Sequence, residues 1–424
     1  MSNCAIVGIN WGDEGKGRMV DLLTTDYDVV IRCQGGGNAG HTVINEKGKF
    51  ALHLLPSGVF RDGVLNVLGN GVAVDMENLW IEMEDVRSKG VDITPENFAV
   101  SERASLLLPW HRLMDELEEM RLKDKKYGST KQGIAPFFGD KYLKKTIQAG
   151  ELFYPEQLKQ HVADLIEYKN LLLKGVYGAE PMKLEDVMAW LEEYGEKIKP
   201  YIKNTTKLLT EAKAAGKNIM FEAQLGTLKD IDFGIYPYVT SSSTIASYLP
   251  IGAGIPGTPI DKVIGVVKAY STAVGEGPFV AEWLGEEAEE LRKAGGEYGA
   301  KTGRPRRVGP IDLVATKYGV EMQAATDIAL TKLDVLDYME QIPVCTKYIT
   351  NGVETDEFPL AFLQDQSKPV IEYMPGWKCD ITGCRKWEEL PIEARNYVEY
   401  IEKAIGCHIT YVSVGAAREE YIKR

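Results

Sequence analysis

The sequence predicts an α/β protein: a large, mostly parallel central β-sheet flanked by helices, with a helix-rich insertion. Three observations point there. Short apolar runs without alternation recur along the chain, as expected of strands covered on both faces. Amphipathic segments separate them, giving a repeated strand-loop-helix order. Glycine-rich loops follow the first two runs, at the carboxyl ends of strands where such sheets collect ligands. The 424 residues could supply about two to three domain-sized units or one large α/β domain. We read 1–424 as a single domain in which about 111–216 forms the insertion.

Cys4–Ile9, Val29–Cys33, Val64–Leu68, Ile219–Glu222, Val263–Val267, Ile328–Asp334 and Ile409–Val414 read as strands. Leu113, Leu117 and Met120 share a helix face, and the apolar stripe of Ile392–Ile405 stops at Gly406, a residue suited to a helix C-terminus. The longest uncharged stretch, Phe233–Ile260, holds four prolines, four glycines and seven Ser/Thr hydroxyls, which makes it loop and not a membrane span.

Lys plus Arg number 49 against 62 acids, a net charge of −13, so no basic excess advertises nucleic acid or a membrane surface. An anionic substrate must be met locally. Cysteines 4, 33, 345, 379, 384 and 407 form no CxxC pair and follow no signal peptide, which reads as reduced thiols in the cytoplasm.

Four segments carry chemistry. The first strand runs into Asn10-Trp-Gly-Asp-Glu-Gly-Lys-Gly-Arg18 and then a helical pattern, which makes a phosphate cradle of backbone N–H groups, a helix N-terminus and Lys16. It departs from the Walker A spacing, and Asp13 inside an anion site opposes binding unless it holds Mg²⁺ or takes a proton. Alone, the segment could be an ordinary Gly/Asp turn. The second loop, Gln34-Gly-Gly-Gly-Asn-Ala-Gly-His41-Thr42, satisfies G-x-G-x-x-G formally. A turn at Asn45–Gly48 and an apolar run at Phe50–Leu55 follow it, so we expect a hairpin and not a dinucleotide site. His41 is either a donor to a transferring phosphoryl oxygen or a structural turn histidine. Thr331-Lys-Leu-Asp334 ends a strand as guanine-recognising segments do: a carboxylate can accept from guanine N1–H and the 2-amino group, whereas adenine offers neither donor. The densest basic run, Ala300-Lys-Thr-Gly-Arg-Pro-Arg-Arg307, suits carboxylates and phosphates, or is a solvated charge run.

Gly12-Asp-Glu-Gly-Lys-Gly, Gln34-Gly-Gly-x-Asn-Ala-Gly-His-Thr, Asp230-Ile-Asp-Phe-Gly-Ile-Tyr-Pro-Tyr-Val-Thr-Ser-Ser, Lys268-Ala-Tyr-Ser-Thr, Thr302-Gly-Arg and Lys332-Leu-Asp-Val-Leu-Asp occur in one order, and from about residue 4 to 420 the chain resembles the adenylosuccinate synthetases. The resemblance implies a variant P-loop-NTPase-like sheet and GTP-driven condensation of IMP with L-aspartate, through 6-phosphoryl-IMP, in the cytoplasm. It makes Asp13 the base on IMP N1, His41 the acid opposite and Gln224 a contact near the reacting oxygen. Asp13 and the Gly40 carbonyl would ligate Mg²⁺. IMP would meet Asp13, Glu14, Gly15, Lys16, Asn38, Ala39, Gly40, His41, Thr130, Thr240, Gln224 and Arg304, with Lys144 reaching across a homodimer interface. GTP would meet Gly12, Asp13, Glu14, Gly15, Lys16, Gly17, Arg18, Gly40, His41, Thr42, Arg306, Lys332, Leu333, Asp334, Ser413, Val414 and Gly415. The aspartate carboxylates would meet Ala300, Lys301, Thr302, Gly303 and Arg304.

Several positions depart from the family pattern. Gly37, Arg18, Gln132, Lys144 and the Ser413-Val-Gly-Ala loop carry substitutions, and Phe221-Glu-Ala-Gln-Leu-Gly226 moves the family's glutamine by one place. Side chains alternate along an extended segment, so we expect a local change of register to bring Gln224 into the site and turn Leu225 into the core; otherwise Leu225 would face the base. Two other functions fit parts of the pattern. A GTP-binding switch needs Lys332 and Asp334 but neither Asp13 with His41 nor the Thr302–Arg304 loop, and a synthetase using a guanine deoxynucleotide acceptor would lack Asp13.

Overall fold

The computed structural model describes residues 2–38, 40–45, 47–299 and 303–424. Ten strands form the central sheet: β1 (Asn3–Gly8), β2 (Val29–Arg32), β3 (Leu65–Leu68), β4 (Phe98–Ser101), β5 (Ile202–Lys203), β6 (Ile219–Glu222), β7 (Lys262–Lys268), β8 (Asp327–Thr331), β9 (Ile409–Ser413) and β10 (Tyr421–Lys423). In space they run β10-β9-β8-β7-β1-β6-β2-β3-β4-β5. All neighbours are parallel except β10, which runs antiparallel to β9. β1 lies at the middle, with Ala5 between Phe221 of β6 and Val263 of β7. Every residue of β1, β2, β6 and β9 is buried, so these strands need apolar side chains on both faces, which is the pattern the sequence shows.

The expected strands all form, with shifted ends. The run from Ile328 stops as a strand at Thr331; Lys332 takes a left-handed conformation (φ 61°) and Leu333–Leu336 is a short 3₁₀ turn. That break swings Lys332 and Asp334 out of the sheet. The expected hairpin is present as His41–Asn45 paired with Gly48–Leu52. Helix Ile392–Ile405 ends at Gly406 with φ 66°, a conformation that glycine adopts without strain.

Residues 111–216 are helical apart from β5, with helices Pro109–Leu122, Ile134–Tyr142, Pro155–Leu172, Leu184–Ile198 and Thr205–Ala214. Much of this region packs with β3 and β4 around a second apolar core that includes Trp110, Leu152, Val162, Leu191, Phe98 and Val100. One element was not foreseen. Gln341–Thr350 and Lys368–Pro375 pair antiparallel in a separate four-stranded sheet, outside the main ligand-bearing edge. A proline, a lysine and several hydroxyls interrupt the first of these strands, so it lacked the continuous apolar run that marks the parallel ones.

Candidate active site

The loops that follow β1, β2, β6 and β8 converge, and glycines permit the close approach. A Cβ on Gly8 would stand 2.1 Å from the Leu225 carbonyl oxygen, and one on Gly17 would stand 2.8 Å from His41 Cβ. These contacts set the helix Lys16–Leu23 beneath the His41 loop, with Gly15 in a left-handed conformation (φ 104°) at its start. Inside the cradle the buried Glu14 accepts from the Gly12 N–H at 2.8 Å and from Lys16 Nζ at 2.6 Å. Lys16 is therefore matched by a carboxylate of its own loop. Thr331 Oγ1 donates to the Glu14 carbonyl at 2.7 Å and so pins the end of β8 to the cradle.

Asp13 stands apart from this pair. Its carboxylate faces a cleft of about 670 Å³ and meets Arg306 Nη2 at 3.1 Å. Asn38, Gly40, Thr42, Thr130, Arg304 and Arg306 line the same cleft. Asn38 Nδ2 donates to Thr240 Oγ1 at 3.4 Å, which joins the second loop to the Asp230–Ser243 segment.

His41 is buried between Gly40 and Thr42, which line the cleft. Its Nδ1 lies 2.5 Å from Glu222 Oε1, while Nε2 has no hydrogen-bond partner among the described residues. Glu222, fully buried at the end of β6, also accepts from the Ser57 N–H at 2.8 Å and Ser57 Oγ at 2.7 Å. Burial pushes its pKa up, but the bonds and charges of His41 and Arg32 outweigh this and hold it below the usual carboxylate range. An ionised Glu222 accepts a hydrogen bond from Nδ1–H, which fixes the proton on that nitrogen and leaves Nε2, itself buried, as the unprotonated ring nitrogen. Burial in turn lowers the His41 pKa, against the pull of Glu222, so the ring is neutral at neutral pH. Sequence reasoning missed Glu222 because it read only as the last residue of an apolar strand.

The displaced glutamine follows neither expected course fully. Gln224 is completely buried behind Asn38: its Nε2 donates to Asn38 Oδ1 at 3.0 Å and its Oε1 accepts from Arg32. Leu225 is left-handed (φ 59°), which turns the chain, but it is only half-buried and its side chain packs toward Gly12. Gln224 thus orders the second loop from behind.

The proposed guanine residues cluster at the other end of the cradle. Asp334 has one carboxylate oxygen without a partner among the described residues, and burial raises its pKa. Arg18 donates to Ser413 Oγ, to the Gly415 carbonyl at 2.6 Å and to the Ala417 carbonyl at 2.5 Å. In the structure it is a clamp on the Ser413–Gly415 loop. Lys332 Nζ donates to the Gly295 carbonyl at 2.5 Å.

Lys144 is not brought to this cleft within one chain. It is exposed and lies beside Asn70, Arg103 and Lys141 in a separate concavity of about 510 Å³. Ala39, Ala300, Lys301 and Thr302 lie outside the described residues.

A model of the adenylosuccinate synthetase family matches residues 5–422. The adenylosuccinate synthetase of Halothermothrix orenii is 45% identical over 425 residues, covering 100% of this chain and 99% of the relative. The solved structure of fully ligated adenylosuccinate synthetase from Plasmodium falciparum superimposes with a TM-score of 0.93 at 35% identity, covering 99% of each chain. A cyanophage S-2L succinoaminodeoxyadenylate synthetase bound to dGMP and dATP matches with a TM-score of 0.62 at 18% identity over 100% of this chain and 95% of that one, a likeness of fold.

The Glu222–His41 pair generates a direct test. ¹⁵N-resolved NMR of the imidazole should show a neutral ring protonated on Nδ1 at pH 7. In Glu222→Gln, which removes the carboxylate that draws the proton to Nδ1, the ring should lose its fixed tautomer. An unchanged His41 spectrum in that variant would remove Glu222 as the orienting group.

Proposed function

This chain belongs to the adenylosuccinate synthetase family, and from that membership we propose how its residues divide the work. The enzyme is a GTP-dependent ligase that joins IMP and L-aspartate to form adenylosuccinate in AMP synthesis. The observation that carries the assignment of roles is the convergence of Asp13, the His41 loop, Arg304 and Arg306 on one cleft.

In this reading Asp13 takes the N1 proton of IMP, and O6 then attacks the γ-phosphorus of GTP. The bond to the β-phosphate oxygen breaks, and GDP leaves as 6-phosphoryl-IMP forms. His41 stands opposite with Nε2 toward the transferring group. A neutral ring can only accept there, so the acid role requires a second proton. The approaching phosphate charges favour that proton, and Glu222 stabilises the cation on the other side. The amine of aspartate then displaces phosphate at C6, its carboxylates held by Arg304 and the 300–304 loop.

Asp13 and Gly40 offer one carboxylate and one carbonyl in a shared cleft, a sparse oxygen set of the kind Mg²⁺ uses when substrate phosphates and water complete its shell. These two residues would hold it, and the ion would neutralise phosphate charge. Gln224 and Thr240 act on IMP through Asn38, while Thr130 lines the cleft directly. Asp334, with its unmatched oxygen, would accept from guanine, and the Arg18-clamped loop Ser413–Gly415 would frame the base. We take the working enzyme to be a cytoplasmic homodimer of 424-residue single-domain chains, in which Lys144 completes the partner's IMP site. Asp13, together with the family match, favours this reading over a GTP switch or a deoxynucleotide-dependent variant.

Product formation should need GTP, IMP and aspartate together, and Asp13→Ala should abolish it in a folded protein. Retention of a tenth of the wild-type turnover, a barrier change of about 1.4 kcal/mol, would defeat the assignment of Asp13. Asp334→Asn should weaken GTP and improve XTP, whose base presents an acceptor in place of the 2-amino donor; discrimination on the order of 1–3 kcal/mol is expected per exchanged bond. Unchanged GTP affinity would move the base elsewhere. Mixing inactive Lys144→Ala and Arg304→Ala chains should restore activity, because one site of each mixed dimer is intact. Continued inactivity of a verified mixed dimer would exclude a shared site.

A further inference from the structure

Glu297 has no role in the scheme above, yet the site's cations gather on it. Its side chain is fully buried. Lys268 Nζ at 2.9 Å and Tyr270 OH at 2.6 Å donate to Oε1, and Arg306 Nη1 donates to Oε2 at 2.7 Å. Lys332 Nζ stands 3.3 Å from Oε1. Burial works against ionisation, but the charges of Lys268, Lys332 and Arg306 overcome it and carry the carboxyl well below its usual range.

Two of these cations also reach substrate-facing groups. Arg306 uses Nη2 to meet Asp13 at 3.1 Å. Lys332 follows the end of β8, two residues before Asp334. Glu297 also opens the stem that carries the amino-acid loop. The Arg306 N–H donates to the Glu297 carbonyl at 2.9 Å, Tyr298 pairs with Pro305, and the Gly299 N–H donates to the Arg304 carbonyl at 2.9 Å. One carboxylate therefore stands where the segment ending in Asp334, Asp13's partner and the stem pairing Tyr298–Gly299 with Arg304–Pro305 meet. A buried anion with several cationic partners cannot be removed without each partner seeking another acceptor.

We propose that Glu297 is a positioning residue that couples the guanine subsite to the amino-acid subsite, setting Lys332 beside the base and holding Arg306 and the paired stem Tyr298–Gly299 with Arg304–Pro305 in place. This rests on the substrates assigned above. It predicts that disturbing one carboxylate harms GTP and aspartate most and IMP least, since no donor to Glu297 is itself assigned to IMP and Glu297 reaches the IMP residues Asp13 and Arg304 only indirectly.

The test is steady-state kinetics of Glu297→Gln and Glu297→Asp with each substrate varied in turn, alongside thermal melting. Wild-type protein must first make adenylosuccinate; failure there overturns the substrate assignment, independently of Glu297. Glu297→Gln should raise KM for both GTP and aspartate about tenfold and leave KM for IMP within about twofold. In a Lys332→Ala background the same substitution should raise KM for GTP by a smaller factor than in wild type, because the route through Lys332 is already gone and only that through Arg306 remains. Glu297→Asp keeps the charge at a shorter reach and should raise the same two constants about threefold. Equal changes in all three KM values, or effects that multiply in the Lys332→Ala background, would make Glu297 a stabilising residue only. Should Glu297→Gln fail to fold, wild-type constants in Glu297→Asp would overturn the coupling, and the selective threefold pattern would support it.

Discussion

Charge burial constrains this site more than any other feature. The reaction brings two phosphorylated nucleotides and a dicarboxylic amino acid together, so the cleft needs cations, yet an ion held away from water without a partner costs several kcal/mol. The chain resolves this by matching its charges internally: Lys16 with Glu14, Arg306 with Asp13 and Glu297, Lys268 with Glu297. A ligand then enters a network already at low energy and must exchange partners within it. Lys16 illustrates the point, since a phosphate in the cradle has to share that ammonium with Glu14 or displace it.

Such exchange demands that the partners be held firmly, and the sheet supplies the rigidity. Glu222 ends β6, Thr331 ends β8 and Ser413 ends β9, so the acid that orients His41, the residue that pins the Gly12–Lys16 loop and the edge of the Ser413–Gly415 loop are all fixed by ladder hydrogen bonds. The loops between them can be glycine-rich because their geometry is imposed from both ends. Arg18 adds a tie between the helix Lys16–Leu23 and the loop before β10, so the loop after β1 and the loop after β9 share one mechanical unit.

The parts of this arrangement that were legible in advance are those written locally. Continuous apolar runs marked the parallel strands, Gly406 marked a helix end, and a turn followed by an apolar run marked the hairpin after His41. The segments at Gly12–Arg18 and Thr331–Asp334 were legible in advance too, because each is a run of a few adjacent residues, and the structure brings both to the carboxyl edge of the sheet. Glu222 and Glu297 were not, since each matters through partners that lie far along the chain; 181 positions separate Glu222 from His41. Leu225 shows a different limit. Alternation along an extended segment offered two outcomes, and a left-handed leucine, which carries a steric cost of about 1–2 kcal/mol, supplied a third.

Gly35 and Gln224 carry a consequence for how this sequence can vary. A Cβ on Gly35 would fall 1.5 Å from Gln224 Nε2, so the glutamine amide occupies the space that any side chain at 35 would need. Gly35 is also left-handed (φ 72°), so a smaller residue at 224 would relieve the crowding and leave the backbone strain of any side chain at 35 in force. Two constraints of different kinds, one of space and one of backbone, therefore guard the same position, and losing the first leaves the second.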